Sequence, residues 1–219
     1  MAHNRRHHFG HRSFGRIFFR LNMLALVLAR KNFRESDQMV SLLTRERGKV
    51  EVLAKGIKKI ISKNSSNLKV LSLVEAEIAQ GKEVDYLTKV QPVTIFKNIY
   101  LDFDKVFLAG YIAKIVDANI LGSEPDEEIF NLLVSFLEFL NSAEKINSLN
   151  LATGFILKFW HCLGFGMEDG HSKLWLESDW RTINDFKLRE DEQLRTYQSA
   201  CEYAQVHSGQ KLARLVSIR

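Results

Sequence analysis

Hydrophobic positions in the first half of the chain follow the two-residue period of β-strands. The segment from Leu24 to Lys31 is almost continuously apolar, which predicts a strand buried on both faces. Polar turns then separate a second strand, Met39 to Thr44, from a third that opens at Gly48. The basic stretch from Lys58 to Lys69 has no sustained period, so we expect an exposed loop there.

Two further strands are predicted beyond this loop. Apolar residues alternate with glutamates from Val74 to Ile78. After a turn around Gly81, one face of the last strand is expected to carry Val84, Tyr86 and Val90. Five short strands within about 70 residues predict a small closed barrel, and an OB-type barrel is the commonest of this size that binds nucleic acid.

After Pro92 the period becomes that of helices, which places a domain boundary near Val93. The first helix is expected to begin at an aspartate N-cap, Asp102 or Asp104, and to stop near Gly122. Its core face should consist of residues spaced by four, namely Phe103, Phe107, Tyr111 and Ile115.

Three more helices follow in the prediction. One starts at Pro125 and buries Ile129, Leu132, Leu133, Phe136 and Leu140. Another runs from about Leu149 to Leu163 and ends at Gly164. The stretch from Phe165 to Phe186 is too mixed to assign. The last helix, broken at Gly209, should bury a stripe of Leu194, Tyr197, Cys201 and Ala204.

These patterns indicate an α+β protein with an OB-fold β-barrel at residues 23–93 and an α-helical domain at 94–219. Residues 1–22 carry five arginines and no acidic residue, so we expect a basic, disordered extension. Their Arg-rich, acid-poor composition also resembles a transit peptide, and a true start at Met23 is a further alternative. The only cysteines, Cys162 and Cys201, match no zinc spacing and suggest a reducing cytosol. No run approaches the roughly 18 apolar residues that span a bilayer, so no membrane partner is expected.

Charge is distributed unevenly along the chain. Residues 1–94 contain 18 lysines and arginines against 8 acidic residues, whereas residues 95–219 contain 13 against 18. The first part therefore has a net charge of +10 and the second of −5. A polyanion would bind the basic part, and the acidic part would avoid it.

The basic residues gather in the loops around the barrel, where they can form a positive rim that follows a phosphate backbone. An ordinary solvated face is the alternative, but a merely soluble surface usually mixes charges of both signs. The predicted contacts are Arg30, Lys31, Arg34, Arg45, Arg47, Lys49, Lys55, Lys58, Lys59 and Lys63.

Aromatic residues that could stack on bases are scarce in the predicted barrel. Phe33 and Tyr86 are the only ones between Met23 and Val93. Phe33 could stack beside Arg34, or it could be a partly buried turn residue. The scarcity favours binding led by phosphate contacts and hence weak sequence preference.

Evidence for catalysis is thin. The acidic pairs Asp102 with Asp104 and Glu75 with Glu77 fit helix capping and an outward strand face. His161 precedes Cys162 directly, and adjacent helical residues point about 100° apart, so they do not form a nucleophile and base pair. Gly164-Phe165-Gly166 lacks the Lys-Ser/Thr of a phosphate loop. We therefore expect no enzyme activity and no cofactor.

Several motifs resemble the RecO family of recombination mediators in order and spacing. They are Leu24-Ala-Leu-Val-Leu-Ala-Arg30, Phe33-Arg-Glu-Ser-Asp37, Leu43-Thr-Arg-Glu-Arg-Gly-Lys49, Val52-Leu-Ala-Lys-Gly56, Val90-Gln-Pro-Val93 and His207-Ser-Gly-Gln-Lys-Leu-Ala-Arg214. The combination of the second, third and fourth motifs is specific, although any one alone would be weak. The resemblance covers nearly everything from Met23 onward.

The resemblance implies an OB-fold followed by a helical domain, acting in DNA repair in the bacterial cytoplasm at the nucleoid. It implies binding and annealing of single- and double-stranded DNA, and help in loading a recombinase onto strands coated by single-strand-binding protein. The implied partners are RecR and the C-terminal tail of single-strand-binding protein, with Lys114 and Lys158 as candidate contacts. Many members carry a four-cysteine zinc cluster after the position of Gly164, where this chain has no cysteine. Packing around Trp175 and Trp180 should hold that region instead.

Three other functions stay open at this stage. A non-catalytic adaptor would bind proteins through its helices and use the basic barrel only for solubility. A nuclease would need a metal site, for which Asp102 or Asp104 are candidates. An RNA-binding protein would show the same pattern of basic residues, because contacts to phosphates do not distinguish RNA, which has a 2′-hydroxyl, from DNA.

Overall fold

The computed structural model describes residues 20–59, 67–122, 124–166 and 170–209. Five strands come first: β1 Arg20–Asn32, β2 Gln38–Thr44, β3 Gly48–Ala54, β4 Leu73–Ala79 and β5 Asp85–Thr94. They close into a barrel in the order β1-β2-β3-β5-β4. All pairs are antiparallel except β3 with β5, which meet in parallel through Val52 with Asp85 and Leu53 with Tyr86. The predicted α+β class, with an OB-fold barrel before the helices, is confirmed.

Strand β1 belongs to two hydrophobic cores, as its continuous apolar sequence predicts. Ala25 and Val27 point into the barrel, whereas Leu26 and Leu28 pack into the core of the helical part. The ladder with β2 shifts register between Val27 and Ala29, which indicates a β-bulge. The strand begins at Arg20, three residues before the predicted start of the barrel, and Arg20 pairs with Ala79 of β4.

The face predicted for β5 is correct for Val90 but not for Tyr86. Leu87 and Val90 are buried, whereas Tyr86 is only partly buried and lies under the Lys55 ammonium. The pairing of β5 with β4 shifts register at Thr88, so two inward residues are three apart instead of two. A bulge of this kind inverts the strict alternation on which the prediction rested.

Within the described residues, six helices follow a short 3-10 turn at Ile99–Leu101: α1 Phe103–Asn119, α2 Glu127–Ser142, α3 Ser148–Cys162, α4 Gly170–Glu177, α5 Trp180–Asn184 and α6 Glu190–Ser208. Asp102 is the N-cap of α1, because its carboxylate accepts a hydrogen bond from the Lys105 backbone N–H. Asp126 caps α2 in the same way, and Gly209 ends α6 with a φ of +65°. Helices α4 and α5 occupy the stretch that the sequence left unassigned.

Helix α1 lies between the barrel and the other helices, and its predicted face is correct at Tyr111 and Ile115, which are buried, but not at Phe103. Phe103 is 77% exposed, whereas Leu108, Ile112 and Val116 on another face are fully buried. The helix contacts β1 on one side and α2 and α3 on others, so most of its circumference is covered. A residue period cannot identify one core face when several faces are buried.

The remaining helices agree better with their predicted faces. In α2, Ile129, Leu133, Phe136 and Leu140 are buried, and Leu132 is partly buried. In α6, Tyr197 and Ala204 are buried, but Leu194 is 47% exposed. The region after Gly164 is packed through aromatic contacts: Trp175 meets Phe186, and Trp180 meets Phe136 and Phe155.

Across the described ranges, helices long and apolar enough to cross a membrane are absent.

Candidate nucleic-acid interface

Two turns at one end of the barrel are hydrogen-bonded to each other. The β1–β2 turn closes on itself through Phe33 N–H and the Asp37 carbonyl at 3.2 Å. The Asp37 carboxylate accepts a bond from the Gly56 N–H at 2.7 Å, and the Lys58 N–H donates to the Ser36 carbonyl at 3.1 Å. These bonds fix the segment after β3 against the β1–β2 turn, so the side chains of both turns share one surface.

This surface carries five cations, which we call the basic turn surface: Lys31, Arg34, Lys55, Lys58 and Lys59. All five residues are exposed, and within the described chain none forms an ion pair with a carboxylate. The nearest acidic residues in sequence are Glu35, which is exposed, and Asp37, whose carboxylate is bonded to Gly56. The turn surface therefore keeps a net positive charge available to a polyanion.

Arg30 does not belong to this surface, although the sequence placed it there. Its guanidinium donates to the Gln38 amide oxygen through Nε at 2.9 Å and to the Leu68 carbonyl through Nη1. Partial burial lowers the pKa of Arg30 from its usual value. The side chain instead fastens the segment around Leu68 to the barrel.

Three other predicted contacts are engaged inside the molecule. Arg45 pairs with Glu127 in the first turn of α2, its Nε lying 3.0 Å from the carboxylate. Lys49 pairs with Asp117 of α1 at 3.1 Å, and the Ser41 hydroxyl donates to the same carboxylate. These two pairs join the barrel to the helices.

Arg47 forms a pair within the barrel instead, since its Nη1 lies 3.3 Å from the Asp85 carboxylate. In the described part of the chain, the continuous rim expected from the sequence is therefore divided into an exposed turn surface without ion pairs and a set of intramolecular ion pairs, of which Arg45–Glu127 is itself about half exposed. Lys63 lies outside the described residues.

An open groove of about 460 Å³ runs across β3 and the β4–β5 loop, the region with which OB-folds commonly bind oligonucleotides. Its charged lining is mixed: Arg47, Lys49 and Lys82 stand beside Glu51, Glu83 and Asp85. Such a balance gives little attraction for phosphates. The basic turn surface is the better candidate for the polyanion.

The acidic pairs considered for catalysis have structural roles or stand alone. Asp102 caps α1, and Glu77 accepts hydrogen bonds from Thr88 at 2.7 Å and Arg20 at 2.9 Å, which lower the pKa of Glu77.

Burial, aided by acidic neighbours, raises the pKa of Cys162 to about 11, which makes its thiol a poor nucleophile at neutral pH. Among the described residues, no three or more His, Cys, Asp or Glu side chains lie close enough together to hold a metal ion.

Comparison with known proteins identifies the family. The model of the recombination protein O N-terminal region matches residues 20–96, and the model of its C-terminal region matches residues 100–168. The two matches follow each other in the order barrel, then helices. The chain belongs to the RecO family. The N-terminal match begins at Arg20, where β1 begins, rather than at Met23.

Curated relatives agree with this assignment. A protein named DNA repair protein RecO from Geobacter metallireducens is 31% identical over 153 residues, which cover 66% of this chain and 62% of that protein. Proteins of the same name from Desulfitobacterium hafniense and a Nocardioides species are each 30% identical, and the matches cover 44% and 63% of their lengths. The matched part thus spans between under half and just under two thirds of these RecO proteins.

Proposed function

We propose that this RecO-family chain is a non-catalytic DNA repair and recombination mediator that binds single- and double-stranded DNA through its basic turn surface. The observation that carries the proposal is the set of five exposed cations on two turns held together by hydrogen bonds. Fixed turns hold the charges close together before the strand arrives, and phosphate contacts of this kind are independent of base sequence.

Annealing follows from the same electrostatics. Two DNA strands repel each other through their phosphates, and a cationic surface that holds both lowers this repulsion. Complementary bases then meet more often, and no covalent step or nucleotide hydrolysis is required. On strands coated by single-strand-binding protein, this activity would assist loading of a recombinase.

The helical part is proposed to dock proteins, with RecR and the C-terminal tail of single-strand-binding protein as the expected partners. Its sequence is net acidic, which disfavours DNA, and it exposes apolar side chains such as Leu101 and Phe103. Of the two lysines considered for the tail, Lys114 is exposed. Lys158 donates to the Leu176 carbonyl and lies 5.7 Å from the Trp180 ring centre, so it is engaged within the helices.

The test is annealing of two complementary fluorescent oligonucleotides without ATP or added metal. Wild-type protein should accelerate annealing, and Lys58→Glu/Lys59→Glu should abolish most of the acceleration. The logarithm of the binding constant falls linearly with the logarithm of the salt concentration, and each phosphate contact to a single strand contributes about 0.7 to that slope. The variant loses two such contacts, so its slope should be shallower by about 1.4.

A matched control reverses two exposed lysines of the helical part, Lys145→Glu/Lys187→Glu. It changes the net charge by the same amount, so a loss confined to the first variant assigns the effect to the turns. Equal losses in both variants would reject the turn surface as the site. No DNA binding by wild type at low salt would favour the adaptor function, and magnesium-dependent strand cleavage would favour a nuclease.

A further inference from the structure

Phe33 is the most exposed aromatic side chain of the barrel. It lies in the β1–β2 turn and is 51% exposed, so about half of it stays in contact with solvent. The Arg34 guanidinium carbon lies 5.0 Å from the centre of the Phe33 ring, a cation–π contact. The exposed half of the ring is accessible to a ligand at the tip of the turn.

The backbone beneath the ring is held in place. Phe33 N–H donates to the Asp37 carbonyl, the Asp37 N–H donates to the Arg34 carbonyl, and the Asp37 carboxylate holds Gly56. These bonds fix the position of the turn, so a ligand that contacts Phe33 would not need to order it first. Less conformational entropy is then lost on binding.

The ring also stands among cations. Lys31 and Arg34 flank it in sequence, and the Ser36 carbonyl receives the N–H of Lys58. A phosphate backbone bound by these charges would bring its bases to the same turn. Stacking on an aromatic ring requires an exposed base face, which an unpaired strand offers and a duplex does not.

We infer that Phe33 is a stacking platform for an unpaired base and gives the basic turn surface a preference for single strands. This inference rests on the proposed function, because the phosphate contacts bring the strand to the ring. Phe33 adds affinity without adding charge. Its contribution should therefore be independent of salt and absent from duplex binding.

The experiment compares wild type with Phe33→Leu, using fluorescence anisotropy with three probes: a 20-nucleotide oligothymidine, an abasic oligomer of equal length and a 20-base-pair duplex. Phe33→Leu should bind oligothymidine about tenfold more weakly than wild type. The abasic oligomer and the duplex should bind to both proteins within about twofold, since neither presents a free base face. Phe33→Trp should restore oligothymidine affinity.

Phe165→Leu is the matched control, because Phe165 is 44% exposed and follows α3 in the helical part, outside the two turns. It should leave all three affinities unchanged. Equal affinity of wild type and Phe33→Leu for oligothymidine would overturn the inference, and so would equal losses on all three probes. If Lys58→Glu/Lys59→Glu still weakened binding in that case, the proposed function would stand without the stacking role. Failure of wild type to bind any probe would overturn both.

Discussion

Replacing Lys49 with methionine tests whether a structural lysine of the barrel can be distinguished from the lysines proposed to bind DNA. Lys49 and Asp117 join β3 to α1, and their side chains are only 16% and 18% exposed. Methionine keeps most of the aliphatic stem but removes the charge, so Asp117 is left with the Ser41 hydroxyl as its side-chain partner. The change should reduce stability and leave DNA binding intact.

The magnitude follows from the burial of the pair. Removing one partner of a fully buried ion pair costs about 3–5 kcal/mol, and an exposed pair is worth about 0–1 kcal/mol. Lys49–Asp117 lies between these limits, and Ser41 still satisfies part of the carboxylate, so we expect a loss of roughly 2 kcal/mol. Breaking the Arg45–Glu127 pair, in which both side chains are at least half exposed, should cost below about 1 kcal/mol.

Urea unfolding measures this loss with two probes. The three tryptophans, Trp160, Trp175 and Trp180, all lie in the helical part, whereas far-ultraviolet circular dichroism reports on both parts. If the free energy of unfolding falls by about 2 kcal/mol per molar urea, the urea concentration at the midpoint of unfolding should be lower by about 1 M in the variant. Both probes should shift together, because the pair connects the two parts.

DNA affinity supplies the second half of the test. Lys49→Met should bind an oligonucleotide within about twofold of wild type at low salt, whereas Lys58→Met should bind more weakly and unfold normally. A Lys49→Met protein of unchanged stability but reduced DNA affinity would refute the assignment. A double-mutant cycle with Asp117→Asn should show coupling of about 1 kcal/mol or more, and additive effects would show that the pair does not stabilise the contact.

Two further predictions concern stability and thiol chemistry. Gly48 has a φ of +59°, and a β-carbon there would lie 2.1 Å from the Glu124 carbonyl oxygen, so Gly48→Ala should cost about 3 kcal/mol or more in urea unfolding. Gly56 is the control, because it has a similar φ of +63° but only the Lys59 side chain nearby, so Gly56→Ala should cost about 1 kcal/mol. Equal losses of stability in the two variants would contradict the backbone clash at Gly48. In a Cys201→Ser background, Cys162 should react with iodoacetamide at pH 8 about 100-fold more slowly in the folded than in the unfolded protein, because its pKa is raised to about 11. Since the folded state disfavours the thiolate, the free energy of unfolding should fall as pH rises from about 9 toward 11, and rapid alkylation of the folded protein would contradict the burial.

The sequence alone determined the local structure and the fold class. Alternating apolar residues mark the strands, and the unbroken apolar run from Leu24 indicated a strand with two buried faces, which β1 has. Asp102 marked the start of α1 and Gly209 the end of α6, whereas the start predicted at Pro125 was two residues early, because Asp126 is the N-cap of α2. These features depend on residues close together in the chain, where period and capping chemistry act directly.

The tertiary structure decided which basic residues of the barrel pair with a carboxylate and which stay exposed. Lys49 and Lys58 are the same residue type with the same charge. Lys49 contacts Asp117, 68 residues further along the chain, whereas Lys58 lies on an exposed turn. The bulge at Thr88 and the burial of α1 on several faces also depend on partners distant in sequence. An ion pair or a buried face requires two segments to meet in space, and the identity of that partner is not contained in a local pattern.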